Sequence, residues 1–234
     1  IYPSSERIKR LRKNILELVL SEYPPERERP EPGTLPTEFQ RVVAEAGYPE
    51  VRYQRSVKAF EKDRSHPYIW ADLTECIKCY RCVRACDELQ AEHVLAIRGR
   101  GDGSRIIMGY DQNFMDSPCV SCGACVQTCP TNALSDRYST KTVKADRIVR
   151  TTCTYCGVGC ALEVKVKEGK VRGIQAPLDG AANRGHTCLK GRFAFEFYNH
   201  PERLHSPLIR KNGTLTEASW DEAYDYCLLY TSPS

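Results

Sequence analysis

The run Cys119-Val-Ser-Cys122-Gly-Ala-Cys125-Val-Gln-Thr-Cys129-Pro130 decides how this chain folds. Two residues separate each of the first three cysteines, and three residues separate the last pair. A short loop with a cysteine at every third position can wrap one corner of a four-iron cubane and give three thiolates to three irons, but it cannot reach the fourth. The cysteine beyond the three-residue step points the other way and serves a neighbouring cluster. Such a loop needs a partner, and Cys76-Ile-Lys-Cys79-Tyr-Arg-Cys82-Val-Arg-Ala-Cys86-Asp87 repeats the spacing. The expected ligation is therefore crossed. Cys76, Cys79, Cys82 and Cys129 hold one [4Fe-4S] cluster, and Cys119, Cys122, Cys125 and Cys86 hold the other.

This is the spacing of two-cluster bacterial ferredoxins, and crossing keeps the clusters close enough for sequential electron hopping. Structural zinc is the competing use of cysteine loops. Zinc sites, however, pair two short hooks across a long span and close on four ligands, whereas two tandem loops here offer eight. Two positions depart from the pattern: Tyr80 stands where such loops often carry glycine, and Asp87 where proline commonly follows the fourth cysteine. Neither removes a ligand.

A third set comprises Cys153, Cys156, Cys160 and, after a long excursion, Cys188. A hairpin returns the fourth ligand, so this third [4Fe-4S] cluster stands alone. Gly157 and Gly159 let the backbone curl between ligands. Lys190, two residues past Cys188, is an electron-transfer candidate, because an ammonium there would stabilise extra electron density on the cluster; taken alone, a lysine is more often simply solvated. Twelve of the 13 cysteines fall into quartets and Cys227 is left over.

Working outward, 234 residues leave room for one ordinary domain or two small ones. A secreted disulfide scaffold would be shorter and even in cysteine count. The formal charge of +4 invites a nucleic-acid reading. Three cubanes with four thiolates each carry about −6 together, however, which brings the loaded segment to about −2. Lys and Arg are thus read as partial compensation for cluster charge, and no nucleic acid is expected. No apolar run approaches the roughly 20 residues that cross a bilayer, so no membrane span is expected in this segment. A cytoplasmic location is the expectation, with a leader upstream of Ile1 left open. The chain opens on Ile1 and not on Met, which places the natural start, and any leader, upstream. The tail Cys227-Leu-Leu-Tyr-Thr-Ser-Pro-Ser234 resembles a translated sequencing-adapter scar, and residues 227–234 are set aside on that ground.

Between these landmarks, residues 5–22 place Ile8, Leu11, Ile15, Leu18 and Val19 at helical spacing. Prolines from Pro24 to Pro30 turn the next stretch into a polar linker. Thr37 with Gln40 caps a second helix that Gly47 closes. Leu162, Val164 and Val166 alternate up to Glu168-Gly169-Lys170, a strand, turn and returning strand. Asn212-Gly213 makes a second hairpin, and Ser219-Trp-Asp-Glu222 opens a last helix. The expected organisation is α+β: a helical segment and linker at 1–66, a ferredoxin-type domain with two clusters at 67–140, and a β-rich [4Fe-4S] lobe at 146–226. His66, His93, His186, His200 and His205 lack ligand-like spacing and are read as packing or surface residues. Gly99, Gly101 and Gly103 form a turn without the strand-to-helix context of a dinucleotide site.

Thr152-Cys-Thr-Tyr-Cys-Gly-Val-Gly-Cys160 with Cys188-Leu-Lys-Gly191 resembles the cluster-binding lobe that opens the molybdopterin oxidoreductases. Asn199-His-Pro-Glu-Arg-Leu-His-Ser-Pro-Leu-Ile-Arg-Lys-Asn-Gly213 resembles formate dehydrogenases, and the order, ferredoxin module first, is similar to the N-terminal part of catalytic subunits of the NAD-dependent type. The resemblance spans residues 5–226. It implies an oxidoreductase that takes electrons from formate at molybdenum or tungsten held by molybdopterin guanine dinucleotide. Those electrons would cross the lone cluster and the ferredoxin clusters to a flavin- and NAD-binding partner subunit. Lys190 matches the family's lysine between lone cluster and pterin. The metal-binding cysteine or selenocysteine, and the histidine and arginine that handle formate, would lie beyond residue 234, so no catalytic residue is expected in this chain. In many relatives the helix resembling Arg10 to Leu20 leads into a histidine and cysteine motif for a further cluster. Ser21-Glu-Tyr-Pro-Pro-Glu26 has neither residue, and that cluster is not expected. Two alternatives stay open: the large iron-sulfur subunit of an NADH-quinone oxidoreductase, and a stand-alone ferredoxin-type carrier. The Lys190 motif and the Pro207–Lys211 stretch favour the formate enzyme over both, and nitrate reductases fit the double ferredoxin module less well.

Overall fold

The structure is a computed structural model that describes residues 5–231. Ser5 caps α1 (Glu6–Ser21), its hydroxyl accepting from the Ile8 N–H at 3.4 Å. The helix forms as expected, but the stripe read from the sequence is not the one that is buried. Leu16 and Leu20 turn inward, while Leu11, Ile15 and Leu18 face outward. Glu17 goes in with them because Arg52, 35 residues away, supplies its counter-charge. After the linker, α2 (Glu38–Glu45) starts with the complete Thr37–Gln40 capping box. The Gln40 amide also donates to the carbonyls of Arg27 and Arg29, at 2.9 and 3.0 Å, and so fastens the linker to the helix. Leu16, Leu20, Tyr23, Phe39 and Val43 close a small core.

Next come β1 (Ile69–Ala71), α3 (Arg81–Arg84), β2 (Leu95–Arg98), β3 (Arg105–Met108), α4 (Ala124–Thr128) and β4 (Leu134–Asp136). β1 pairs antiparallel with β4 and β2 with β3, so two two-stranded ribbons flank the cysteine loops. Ile69, Val94, Ile106, Phe114, Val126 and Leu134 pack with Cys82, Cys86, Cys125 and Cys129 in one cluster. The cysteine sulfurs are thus part of the core of this region.

A three-stranded antiparallel sheet follows: β5 (Arg147–Thr152), β6 (Ala161–Lys167) and β7 (Lys170–Gln175). Glu168 and Gly169 take φ of 53° and 71°, the positive values a two-residue turn demands. α5 (Leu189–Phe193) packs near β7, and Leu162, Val171, Ile174 and Phe195 fill the space beneath. This sheet is joined to the ferredoxin-type part. Tyr138 meets Phe195 at 4.7 Å between ring centroids, Tyr68 stacks on Phe193 at 5.0 Å, and Lys165 Nζ donates to the Thr140 carbonyl at 2.6 Å.

Residues up to Phe195 form one compact unit and a second begins at Glu196. The second contains α6 (Glu196–Asn199), the hairpin of β8 (Leu208–Lys211) and β9 (Thr214–Glu217), and α7 (Trp220–Thr231). Asn212 and Gly213 turn the hairpin with φ of 51° and 83°. The Glu222 N–H reaches the Ser219 hydroxyl at 3.1 Å, the expected cap of α7. The set-aside tail continues α7 as far as Thr231, and residues 232–234 lie outside the described residues. No described helix is long and apolar enough to cross a membrane. The chain is α+β, as its sequence indicated.

Candidate metal centres

The two cysteine loops repeat each other residue by residue. Lys78 and Ser121, each two residues past a first cysteine, have φ of 55° and 60°, and their amides point at the sulfurs of Cys76 and Cys119, both at 3.4 Å. Tyr80 (φ 60°, ψ 10°) and Gly123 (φ 73°, ψ 12°) then take the left-handed conformation and launch α3 and α4. These helices carry Cys82 and Cys125. After the fourth cysteine the loops diverge. Cys129 ends α4 in extended conformation, as the following Pro130 requires. Asp87 imposes no such stop, and Ala85–Leu89 continues as a π-turn.

The thiols fall into three sets by the charges they feel. Burial pushes the Cys76 thiol up to about 11, eased by the Lys78 amide and increased by Cys129 and Cys79. Burial pushes Cys82 up to about 12, with Cys129, Cys76 and Cys79 adding to it. Burial also raises Cys119 and Cys122, and each feels Cys86. Cys125 is also raised, by burial and then by Cys82, Cys119, Cys122 and Cys86. So Cys129 neighbours the first loop and Cys86 the second, while Cys125 and Cys82 bring the two sets together. Cys160 is raised by slight burial and by Cys153, Cys156 and Cys188, which form the third set. Cys156 and Cys188 are exposed, so this set is more open than the other two.

Among the described residues no two cysteines are joined in a disulfide. Among the described residues, no three Cys, His, Asp or Glu side chains are drawn together as one bare ion would need. Buried thiols that raise one another have no use as nucleophiles. An iron-sulfur core reverses that penalty by taking them as thiolates, and backbone N–H groups then become donors to anionic sulfur. The Leu134 amide does the same for Cys129 at 3.4 Å. The donor set fits iron-sulfur clusters.

Lys190 lies exposed on the first turn of α5. Two residues on, Arg192 is nearly buried at 5 % exposure, and the sequence reading passed over it. Its Nε donates to the Cys122 carbonyl at 3.3 Å and Nη1 to Gln127 Oε1 at 2.7 Å; Nη2 is buried without a hydrogen-bond partner among the described residues. Burial lowers its pKa, opposed by Cys125, Asp136, Cys122 and Cys188. His66 was read as a packing residue, and its role is specific. Its Nδ1 accepts from the Tyr68 and Ile69 amides at 3.1 and 3.0 Å, and Nε2 contacts the Ser121 hydroxyl at 2.8 Å. Both residues act through partners more than 50 positions away, which no local pattern reveals.

Comparison with known proteins divides the chain between residues 135 and 146, inside the unit that ends at Phe195. Residues 66–135 match the ferredoxin-like domain of NADH-quinone oxidoreductase subunit 3, and residues 146–200 match the Fe4S4 domain of molybdopterin oxidoreductases. A provisionally named formate dehydrogenase of Staphylococcus haemolyticus is 33 % identical over 228 residues, 80 % of this chain and 23 % of that protein. A counterpart so named in Staphylococcus aureus is also 33 % identical, over 226 residues, with the same coverage. The chain thus spans about a quarter of the curated relatives it matches. Among solved structures, a chain of an NAD+-reducing [NiFe]-hydrogenase in the H2-reduced state superposes with a TM-score of 0.50 at 27 % identity, covering 57 % of each chain.

Proposed function

We propose, for a chain that carries a molybdopterin-oxidoreductase Fe4S4 domain behind an NADH-quinone-oxidoreductase-type ferredoxin-like domain, that it holds three [4Fe-4S] clusters and conducts electrons for a formate dehydrogenase. The division is the one expected from the sequence: a helical segment to residue 66, the two-cluster domain at 67–140 and the lobe at 146–226. The observation that carries the reading is the grouping of thiols: Cys129 beside Cys76, Cys79 and Cys82, and Cys86 beside Cys119, Cys122 and Cys125. Those quartets, with Cys153, Cys156, Cys160 and Cys188, are the proposed ligand sets. When bound, such clusters supply one-electron carriers.

The chain's own residues then act on charge and water. The amides of Lys78, Ser121 and Leu134 donate to cysteine sulfurs, and apolar packing keeps water from Cys82, Cys86, Cys125 and Cys129, the buried members of the first two sets. Both effects tune a buried redox site. Lys190, exposed two residues past Cys188, would supply a cation to the open third set. In the full-length protein, molybdenum or tungsten on molybdopterin guanine dinucleotide would supply the two-electron oxidation of formate to carbon dioxide and a proton. This chain's clusters would carry the electrons singly to a flavin- and NAD-binding subunit. A cytoplasmic location belongs to the same reading, because twelve unpaired ligand thiols suit a reducing compartment.

Iron and acid-labile sulfide analysis of anaerobically prepared protein tests the cluster count. About 12 of each per chain is expected from three cubanes; about eight would remove a quartet, and zinc would overturn the reading. The match of residues 66–135 to an NADH-quinone oxidoreductase domain favours one second reading, an electron wire without pterin chemistry. Molybdenum or tungsten bound in the full-length protein, with formate-dependent bleaching of the iron-sulfur absorbance, would decide for the formate enzyme.

A further inference from the structure

Arg192 raises a question the cluster ligands do not answer. A buried guanidinium needs an anion, since removing a charge from water costs several kcal/mol unless it is paired. Among the described residues, Arg192 has no carboxylate in hydrogen-bonding contact: its side-chain bonds go to a neutral carbonyl of Cys122 and a neutral amide of Gln127, and Nη2 has no hydrogen-bond partner. Its backbone N–H donates to the Cys188 carbonyl at 3.1 Å, so the residue is tied to Cys122 of the second quartet and to Cys188 of the third. The acidic groups acting on it are in keeping with that placement: Asp136 and the thiols of Cys125, Cys122 and Cys188. The fit is close, because a Cβ at Gly123 would lie 2.4 Å from Arg192 Cδ. Glycine there serves the left-handed turn of the cysteine loop and also admits this side chain.

We propose that Arg192 is the positioning residue that joins the second cysteine quartet to the third, a fixed buried cation shared by the two clusters. This rests on the three-cluster reading. A cation common to both sites stabilises an added electron on either, so it keeps their potentials matched while Nε and Nη1 hold the Cys122–Gln127 turn against α5. It is complementary to Lys190, which is exposed and lies two residues past Cys188. The first quartet supplies none of the largest charges acting on Arg192, and its potential is expected to depend least on this residue.

The test is a redox titration of iron-loaded protein followed by electron paramagnetic resonance, with Arg192→Gln, Arg192→Lys and Gln127→Ala. Wild-type iron content is measured first: if it is not about 12 per chain, the three-cluster reading has failed and not the bridge. With Arg192→Gln, the second and third clusters should become at least tenfold harder to reduce, a shift of about 59 mV for one electron, while the first stays within twofold. Arg192→Lys keeps the charge and should hold all three within about threefold. Gln127→Ala removes a strut hydrogen bond and no charge, so potentials should stay put while the protein melts lower. Unchanged potentials in a loaded Arg192→Gln would reduce Arg192 to a strut and overturn the proposal. If that variant fails to load, the other two decide: a tenfold shift in either Arg192→Lys or Gln127→Ala overturns it, and preserved potentials in both sustain it.

Discussion

Tyr80 and Gly123 stand at the same point of two equivalent loops, with φ of 60° and 73° and ψ of 10° and 12°, yet only one of them is glycine. The backbone need is identical, and the surroundings differ. Tyr80 packs its ring against the main core and brings its hydroxyl to 3.4 Å from Ser104 Oγ, whereas position 123 faces Arg192.

Substitutions at these two positions should therefore rank in a set order. Tyr80→Gly relieves about 1 kcal/mol of left-handed strain but gives up burial worth about 2 kcal/mol, for a net loss near 1 kcal/mol. Tyr80→Ala keeps the strain, loses the ring, and should be about 1 kcal/mol worse than glycine. Gly123→Ala adds both strain and collision and should lose about 2–3 kcal/mol. Anaerobic thermal melts check the order; alanine equal to glycine at position 80 would mean that the strain is absent.

Crossed ligation makes a counterintuitive prediction for Cys86→Ala. Although Cys86 belongs in sequence to the first loop, its loss should damage the cluster of Cys119, Cys122 and Cys125 and spare that of Cys76, Cys79 and Cys82. Electron paramagnetic resonance with site-selective reduction distinguishes the two. Loss confined to the cluster of the Cys76 loop would contradict the crossing.

Lys190→Met keeps side-chain bulk and deletes a charge beside the third quartet. In the full-length enzyme it should slow acceptor-linked turnover severalfold while leaving single-turnover reduction at the catalytic metal intact. The third cluster should also become harder to reduce. Full turnover with an unchanged potential would show that Lys190 is only a solvated lysine.

Asp63 provides a pH test away from any cysteine. Burial raises its pKa, but the Ser65 hydroxyl and the Phe114 and Ser65 amides outweigh that and hold the carboxyl below its usual range. A carboxylate depressed on folding contributes stability above its unfolded pKa, and that contribution fades as pH falls through the folded value. Asp63 Oδ2 accepts from the Phe114 amide at 2.7 Å, so it pins the segment leading to Cys119. Asp63→Asn should cost about 1 kcal/mol at pH 7, the low end for a charged hydrogen bond because water screens one side. It should also flatten the acid limb of stability between about pH 5 and 3. An unaltered acid limb in urea melts would place that titration elsewhere.

Local chemistry was legible in the sequence and distant partnership was not. Cysteine spacing announced the two loops, Thr37–Gln40 its cap, and Asn212-Gly213 its turn, because each is decided within a few residues. Strand β5 escaped notice since all six of its residues are exposed and leave no alternation to read. The inward face of α1 was misread because Arg52 makes Glu17 buriable from 35 positions away. The π-turn after Cys86 follows from an absent proline, a departure noticed without its consequence.

On the proposed crossed ligation, the placement of Cys129 beside the first loop would also set an order of assembly. A ribosome delivers Cys76, Cys79 and Cys82 long before Cys129, so the first set to begin would be the last to be completed. Cofactor insertion would then wait until both loops had emerged, and a nascent chain stalled between them would carry unfinished sites for both.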